Sequence, residues 1–126
     1  QEEDPLLSLK SVLSPVQVTE MQEFRKKICV SQPVKKYISD IVCATRKNQR
    51  LQYGASPRGS LGLMRASQAL AALRGREFVL PDDVKDFIQP ALAHRLILKP
   101  DLWMNKLAAF EVLDTIANLV PVPVIE

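Results

Sequence analysis

Apolar residues recur every three or four positions in several separate stretches of the chain, which is the pattern of amphipathic α-helices. The second stretch is the clearest, because one wide apolar stripe alternates there with polar positions. The other stretches show the same spacing or are apolar on nearly every side. The pattern therefore predicts about five helices. The stripe of the second stretch comprises Val34, Tyr37, Ile38, Ile41, Val42 and Thr45.

Start and stop signals bound these helices. Ser14 and Gln17 form a capping box, and Pro15 stands at the first helical position between them. Gly75 is a natural end for the third helix. Pro90 removes one hydrogen bond of the fourth helix and is expected to kink it, or to restart it one residue later.

The remaining pattern predicts how the helices pack. The third helix, residues 57–74, is apolar almost all round and is expected at the centre of a bundle. Segments 28–30 and 78–80 are short and β-prone, and we expect them to pair as a small sheet that leans on the helices. The predicted fold is mainly α, a bundle of about five helices with a short two-stranded β pair. The last helix, 106–118, is expected to bury Leu107, Phe110, Leu113 and Ala117.

Three regions follow from this pattern. Residues 1–13 are acidic and then sparsely apolar, and they are interpreted as a linker. Residues 14–120 contain all of the helical periodicity and form the predicted domain. Residues 121–126 contain alternating valine and proline, which cannot continue a helix and predict an extended tail.

One arginine stands at the predicted start of the third helix. Gly54 suits a tight loop with positive φ, the Ser56 hydroxyl can cap the helix, and Pro57 occupies its first position. Arg58 then projects from the first turn, beside free backbone amides and the positive end of the helix dipole. An anion such as a phosphate is a natural partner there. The alternative from these residues alone is a solvated arginine after an ordinary helix cap.

Three motifs in fixed order carry a family resemblance. Residues 54–58 read GASPR, residues 73–84 read LRGREFVLPDDV, and residues 94–96 read HRL. Together with the helix that is rich in alanine and leucine between the first two motifs, they resemble the C-terminal lid of MoxR-type AAA+ ATPases. The similarity extends from about Leu9 to Val124. The sequence departs from that family at Leu80, where a serine or threonine is usual.

The resemblance implies a role for particular residues. Arg58 would be the sensor 2 arginine, which reaches from the lid to the γ-phosphate of ATP, with Ser56 and Pro57 forming part of the same nucleotide-binding loop. Tyr37 and Ile41 would offer an apolar platform to the adenine ring, although plain core packing is the alternative for both. ATP and its Mg²⁺ would be held by a separate core that precedes Gln1.

The resemblance also implies what the whole protein does. This chain lacks the GxxxxGK[ST] loop that cradles phosphates, so it is not expected to hydrolyse ATP by itself. The full-length protein is expected to be a chaperone-like ATPase. Its partners would be its own core, neighbouring subunits of a homo-hexameric ring and an unidentified client protein. Two alternatives stay open: the lid of a helicase-like or magnesium-chelatase-like AAA+ protein, and a free-standing basic helical module that binds nucleic acid.

Composition narrows the remaining possibilities. The net charge is +3 and the basic residues are scattered without interleaved aromatics, so nucleic-acid binding is not favoured. No apolar run approaches a membrane-spanning length, and the acidic start is unlike a signal peptide, which favours a cytoplasmic location. Cys29 and Cys43 fit no metal-ligand spacing and are expected to be reduced and buried, and no metal site is predicted.

The other polar residues of the matched motifs are expected to be structural. His94 has no second ligand nearby and is interpreted as a hydrogen-bonded structural histidine. Three further arginines match positions of the family, and they are expected to form ion pairs with nearby carboxylates. These arginines are Arg46, Arg76 and Arg95, and the carboxylates are Glu77, Asp82, Asp83 and Asp86.

Overall fold

The computed structural model describes residues 5–124. Residues 1–4 of the predicted linker and 125–126 of the predicted tail lie outside the described residues. Helices dominate the described part of the chain, as the sequence predicts, and none of them is long and apolar enough to cross a membrane. The α-helices are α1 (Pro15–Arg25), α2 (Gln32–Lys47), α3 (Pro57–Leu73), α4 (Pro81–Leu92) and α5 (Ala108–Leu119), and short 3₁₀ turns span Pro5–Ser8, Ala93–Arg95 and Pro100–Leu102.

The two-stranded sheet forms at a place that the sequence pattern does not predict. Strand β1 (Leu51–Tyr53) pairs antiparallel with β2 (Ile97–Leu98), and the amide of Lys99 donates to the carbonyl oxygen of Arg50 at 3.1 Å. The sequence pattern predicts neither of these segments as a strand. The pairing depends on the chain after α4 returning to the segment after α2, and a local sequence pattern carries no information about such a distant contact.

The segments expected to pair do meet, but only at one point. Cys29 and Phe78 form a single parallel bridge. The amide of Cys29 donates to the carbonyl oxygen of Glu77 at 2.8 Å, and the amide of Val79 donates to the carbonyl oxygen of Cys29 at 3.0 Å. The bridge ties the connection between α1 and α2 to the connection between α3 and α4. The expectation of a sheet there is wrong, since one bridge is too short to be a strand pair.

The predicted helix ends are largely confirmed. The Ser14 hydroxyl accepts from the amide of Gln17 at 3.2 Å, and Gln17 Oε1 accepts from the amide of Ser14 at 2.8 Å, which completes the capping box. Gly75 has φ +72°, and the amide of Arg76 reaches back to the carbonyl oxygen of Ala71 at 2.9 Å. This left-handed glycine after α3 is the usual way for a helix to stop.

Pro90 does not restart the fourth helix, so that part of the expectation is wrong, while the kink stays a prediction. Helix α4 continues through it and ends at Leu92. The missing amide of Pro90 leaves the carbonyl oxygen of Asp86 without its helical donor. Both residues are exposed, so water can satisfy that oxygen. The helix therefore ends two residues after the proline.

Helix α3 lies at the centre, as expected, and contacts α1, α2 and α4. Two of its polar residues are buried rather than solvated. The Ser67 hydroxyl donates to the carbonyl oxygen of Leu63 at 2.8 Å. The Gln68 amide nitrogen donates to the carbonyl oxygen of Ile28 at 2.8 Å, and the Gln68 oxygen accepts from Arg25 at 3.1 Å. Gln68 therefore connects the central helix to the end of α1.

Helix α5 buries part of the stripe that the sequence predicts, since Leu113 is buried and Ala117 packs against the core. Leu107 precedes the helix and is 61% exposed, and Phe110 is 40% exposed. The helix begins at Ala108, and the buried stripe is rotated from the predicted one so that smaller residues face inward. The buried residues of α5 are Ala108, Val112, Leu113 and Ile116, which join a core made mainly of Val34, Tyr37, Ile41, Leu63, Val84, Ile88 and Leu92.

Helix α1 contributes no buried residue. Its apolar side chains face a groove of about 1090 Å³ that the end of α3 also lines. The exposed apolar residues beside the groove are Leu13, Val16, Val18, Met21, Phe24 and Leu73.

Both cysteines, Cys29 and Cys43, are exposed and have free thiols, so the expectation of buried cysteines is wrong. Cys43 is not among the buried residues of α2 and therefore lies off the buried stripe of that helix.

Candidate functional site

The start of α3 has the backbone geometry that the sequence predicts, without the side-chain cap. Ser56 is the N-cap residue, with φ −79° and ψ 170°, and Pro57 is the first residue of the helix. The Ser56 hydroxyl makes no capping hydrogen bond, so that detail of the expectation is wrong. Instead, the carbonyl oxygen of Ser56 accepts from the amide of Gly59 at 2.8 Å and closes the first turn.

Arg58 is exposed on that first turn. Within residues 5–124, no carboxylate lies within ion-pair distance of its guanidinium, and its backbone amide has no acceptor. A cation at the positive end of a helix is unfavourable by roughly 0.3–1 kcal/mol unless something negative offsets it. An anion beside Arg58 would offset this cost, and no residue between 5 and 124 supplies one.

The loop before α3 lies directly on the last turn of α2. The amide of Ala55 donates to the Thr45 hydroxyl oxygen at 2.9 Å, and the carbonyl oxygen of Ala55 accepts from Arg46 Nε at 2.8 Å. A Cβ atom at Gly54 would lie 2.5 Å from the backbone nitrogen of Arg46. Gly54 does not have a positive φ, so the expected reason for this glycine is wrong. It is required because two backbone segments approach closely.

The first turn of α3 also packs against α4. A Cβ atom at Gly59 would lie 3.2 Å from both the Ala55 methyl group and a Leu92 methyl group. The Arg95 side chain crosses the same face of α3, and one of its terminal nitrogens is 3.7 Å from the Cβ position of Gly62. Arg95 therefore lies along the first two turns of α3, beside Gly59 and Gly62.

Two of the arginines expected in ion pairs do not form them. Arg46 Nε binds the carbonyl oxygen of Ala55, and Arg95 Nε binds that of Ala91 at 3.2 Å. Neither has a carboxylate within ion-pair distance among the residues that the structure describes. Within residues 5–124, the three guanidinium groups near the start of α3, of Arg46, Arg58 and Arg95, therefore have no carboxylate within ion-pair distance.

Arg76 forms its expected ion pair. Its Nη1 is 2.7 Å from Asp83 Oδ2, and Arg74 joins the same carboxylate at 2.9 Å. Burial by itself raises the pKa of the Asp83 carboxyl. The hydrogen bonds from Arg76, the amide of Leu80 and Arg74 outweigh burial, so the pKa of Asp83 lies below its usual value. This cluster fixes the end of α3 against the start of α4. The Asp83 carboxylate also accepts from the amide of Leu80, the residue before α4, at 2.8 Å.

Tyr37 and Ile41, the predicted adenine platform, lie in the core. They are 2% and 0% exposed, so neither presents a face to a base in this structure. The buried Tyr37 hydroxyl has no hydrogen-bond partner among the described residues, and burial, with the charge of Asp82 second, raises the pKa of this hydroxyl. Both residues share a stripe with Thr45, and Tyr37 lies about 12 Å from Thr45 along α2. Their role in binding a base stays a prediction.

The sequence interpretation missed the contribution of Thr45. This residue is fully buried, and its hydroxyl donates to the carbonyl oxygen of Val42 at 2.6 Å while accepting from Ala55. A signal was present, because a hydroxyl stood at the end of an otherwise apolar stripe. The pattern gave no information about its partner, which lies ten residues later in a loop.

Comparison with known proteins identifies this arrangement. Residues 43–116 match a family described as the AAA lid domain. The chain is 34% identical over 120 residues to the uncharacterised protein YeaC of Bacillus subtilis, covering 95% of this chain and 38% of YeaC. It is 33% identical to chaperone MoxR1 of Mycobacterium tuberculosis, covering 90% of this chain and 33% of that protein. The chain thus spans about a third of the length of the curated relatives it matches.

A solved structure agrees with these relatives. The crystal structure of a protein from Cytophaga hutchinsonii, described as a candidate ATPase, superposes with a TM-score of 0.82 at 27% sequence identity. The superposition covers 91% of this chain and 38% of that one. The family match includes the last turn of α2, the loop before Arg58 and the whole of α3 and α4. The chain therefore belongs to the AAA lid domain family and is a lid of the MoxR type.

Proposed function

We propose that this chain closes over ATP bound to an ATPase core in the rest of the protein, and that Arg58 binds the γ-phosphate. The observation that carries the proposal is an exposed guanidinium, without a described partner, on the first turn of a helix. The unpaired amide of Arg58 adds a second donor at the same place. The whole protein would be an ATPase, and this chain would be its nucleotide-sensing lid.

The chemistry required of this chain is limited to binding and positioning. ATP supplies the phosphoryl group, and Mg²⁺ held by the core would neutralise part of its charge. Arg58 can hold two oxygens of one phosphate, because a guanidinium presents two parallel N–H groups. When the γ-phosphate leaves, that contact is lost, which couples hydrolysis to movement of the lid. Ser56 and Pro57 would form the wall beside the phosphate.

An exposed apolar face on α1 supports a second part of the proposal. Helix α1 buries no side chain, and its apolar side chains line an open groove together with the end of α3. We propose that the protein's own core covers this face. Neighbouring subunits of a homo-hexameric ring and a client protein would be further partners, and the chaperone named MoxR1 motivates the proposal of chaperone-like work.

The test is hydrolysis by the protein that joins this chain to its core. Arg58→Ala is expected to lower kcat by roughly 10²-fold, the usual effect of removing one donor to a transition-state oxygen. The matched control is Arg65→Ala, since Arg65 is exposed on the same helix and has no partner among the described residues. It should leave kcat within about twofold of wild type. Equal effects of the two substitutions would remove Arg58 from the mechanism.

A further inference from the structure

The position of Arg58 depends on one residue of the loop before it. Ala55 is 1% exposed, and both its amide and its carbonyl oxygen bind α2, to Thr45 and Arg46 respectively. The two hydrogen bonds have ordinary lengths for N–H···O contacts, 2.9 and 2.8 Å. Holding both polar groups of one peptide residue fixes its orientation as well as its location.

The Thr45 hydroxyl is held in turn. It donates its proton to the carbonyl oxygen of Val42, so the lone pair that faces Ala55 has one orientation. Thr45 is completely buried, where a hydroxyl is costly unless it is satisfied. A valine of the same shape would fill this position in the stripe without that cost. The hydroxyl is therefore explained by its contact with the loop.

Little freedom remains between Ala55 and Arg58. Only Ser56 and Pro57 intervene, and the ring of Pro57 fixes its φ. The hydrogen bond from Gly59 to Ser56 closes the turn. A shift of Ala55 is consequently transmitted to the backbone from which Arg58 projects.

We infer that Thr45 and Arg46 are positioning residues, which set where the Arg58 guanidinium lies through their two hydrogen bonds to Ala55. The inference rests on the proposed function of Arg58. Neither side chain is required to touch the nucleotide. In this arrangement, the last turn of α2 determines the location of the phosphate-binding arginine, and movement of α2 would move that arginine.

A first test measures the loop without nucleotide. Hydrogen exchange of the Ala55 amide, followed by NMR in the folded protein, is expected to be at least about tenfold faster in Thr45→Val than in wild type, since the acceptor is lost. Thr45→Ser keeps a hydroxyl and should restore protection. Unchanged exchange at Ala55 in Thr45→Val would overturn the inference.

A second test measures the effect on Arg58. In the protein with its core, Thr45→Val and Arg46→Ala are expected to lower kcat by about 10-fold and to weaken ATP binding while leaving ADP binding within about twofold, since small displacements of catalytic groups are costly. Lys47→Ala is the matched control, because Lys47 is exposed at the same helix end without a described partner. It should leave kcat unchanged.

The combination with Arg58→Ala distinguishes positioning from a general structural effect. If Thr45 acts through Arg58, Thr45→Val lowers kcat no further once Arg58 is alanine. An equal further loss in that background would contradict the inference, while the proposed function would stand. An Arg58→Ala protein of wild-type activity would instead refute the proposed function. Because Arg46 is exposed, Arg46→Ala keeps the test decisive if Thr45→Val does not fold.

Discussion

Asp83 at the start of α4 is completely buried and accepts hydrogen bonds from Arg76, which follows the end of α3. The pair joins the two helices that share the largest contact in the bundle. Arg74 binds the same carboxylate, and so does the amide of Leu80. One carboxylate therefore holds the turn between the central helix and its main neighbour.

Asp83→Asn is expected to lower the free energy of unfolding by about 2–3 kcal/mol. Removing one member of a buried ion pair usually costs more, but the arginines here are partly exposed and can return to water. Urea denaturation at neutral pH measures the change. Asp101→Asn is the control, since Asp101 is exposed and has no partner among the described residues. A loss no larger than that of the control would contradict this account of the turn.

Because of the Asp83 carboxylate, we expect the free energy of unfolding to depend on pH. Its pKa in the folded chain lies below the ordinary value of 3.8, so the ionised form favours folding. This stabilisation is complete above about pH 4 and is lost as the pH falls through the lower folded pKa. Between roughly pH 4 and pH 2, wild type should therefore lose more stability than Asp83→Asn. Parallel curves for the two proteins would contradict the assignment.

Two glycines close to Arg58 should respond in opposite directions to alanine. Gly54→Ala places a methyl group 2.5 Å from the backbone of α2, and we expect a loss of about 1–3 kcal/mol. Gly62→Ala meets only the end of Arg95 at 3.7 Å, an ordinary contact. It should stabilise α3 by about 0.5–1 kcal/mol, because alanine is the better helix former. Thermal and urea denaturation of both variants measure the two signs, and similar effects would contradict the packing described.

Helix α1 should be the least protected helix of this chain. It buries no side chain, and its end is held by Gln68 and the buried Ile28. Hydrogen exchange of its amides is expected to be far faster than that of α3, which lies at the centre. Gln68→Leu removes the bond to the Ile28 carbonyl oxygen and should accelerate exchange in α1 further.

Joining this chain to its ATPase core should slow the hydrogen exchange of the α1 amides. If the core covers the groove as proposed, the amides of α1 gain protection in the longer protein. Amides of α3 that are already protected by burial serve as the internal control. Protection of α1 that stays the same with and without the core would contradict the docking of the core on this face.

The helices could be predicted because their determinants are local. Ser14 with Gln17, Pro57, and Gly75 mark helix ends through bonds within a few residues, and the stripe of α2 records its buried face. The central place of α3 followed from its apolar surface on every side. These features depend on side-chain periodicity and backbone preference, which a sequence displays directly.

What the sequence did not predict depends on distant partners. The β1–β2 pair forms because the chain after α4 returns to the loop after α2. The exposure of Phe110 follows from the rotation of α5, which neighbouring helices decide. Gly54 is required by contact with Arg46, eight residues earlier, and not by its own φ. The role of Tyr37 could not be predicted from the sequence, because an apolar stripe on a helix is compatible both with core packing and with a platform for a base.

The central claim is that Arg58 recognises the γ-phosphate, and nucleotide affinity tests it most directly. ATP and ADP differ only in that phosphate, so affinities for both should be measured in wild type and Arg58→Ala under conditions that prevent hydrolysis. A hydrogen bond to a charged group contributes about 1.5–3 kcal/mol, so Arg58→Ala should weaken ATP by roughly 10- to 100-fold and leave ADP nearly unchanged. Equal weakening of both nucleotides, or of neither, would contradict the claim.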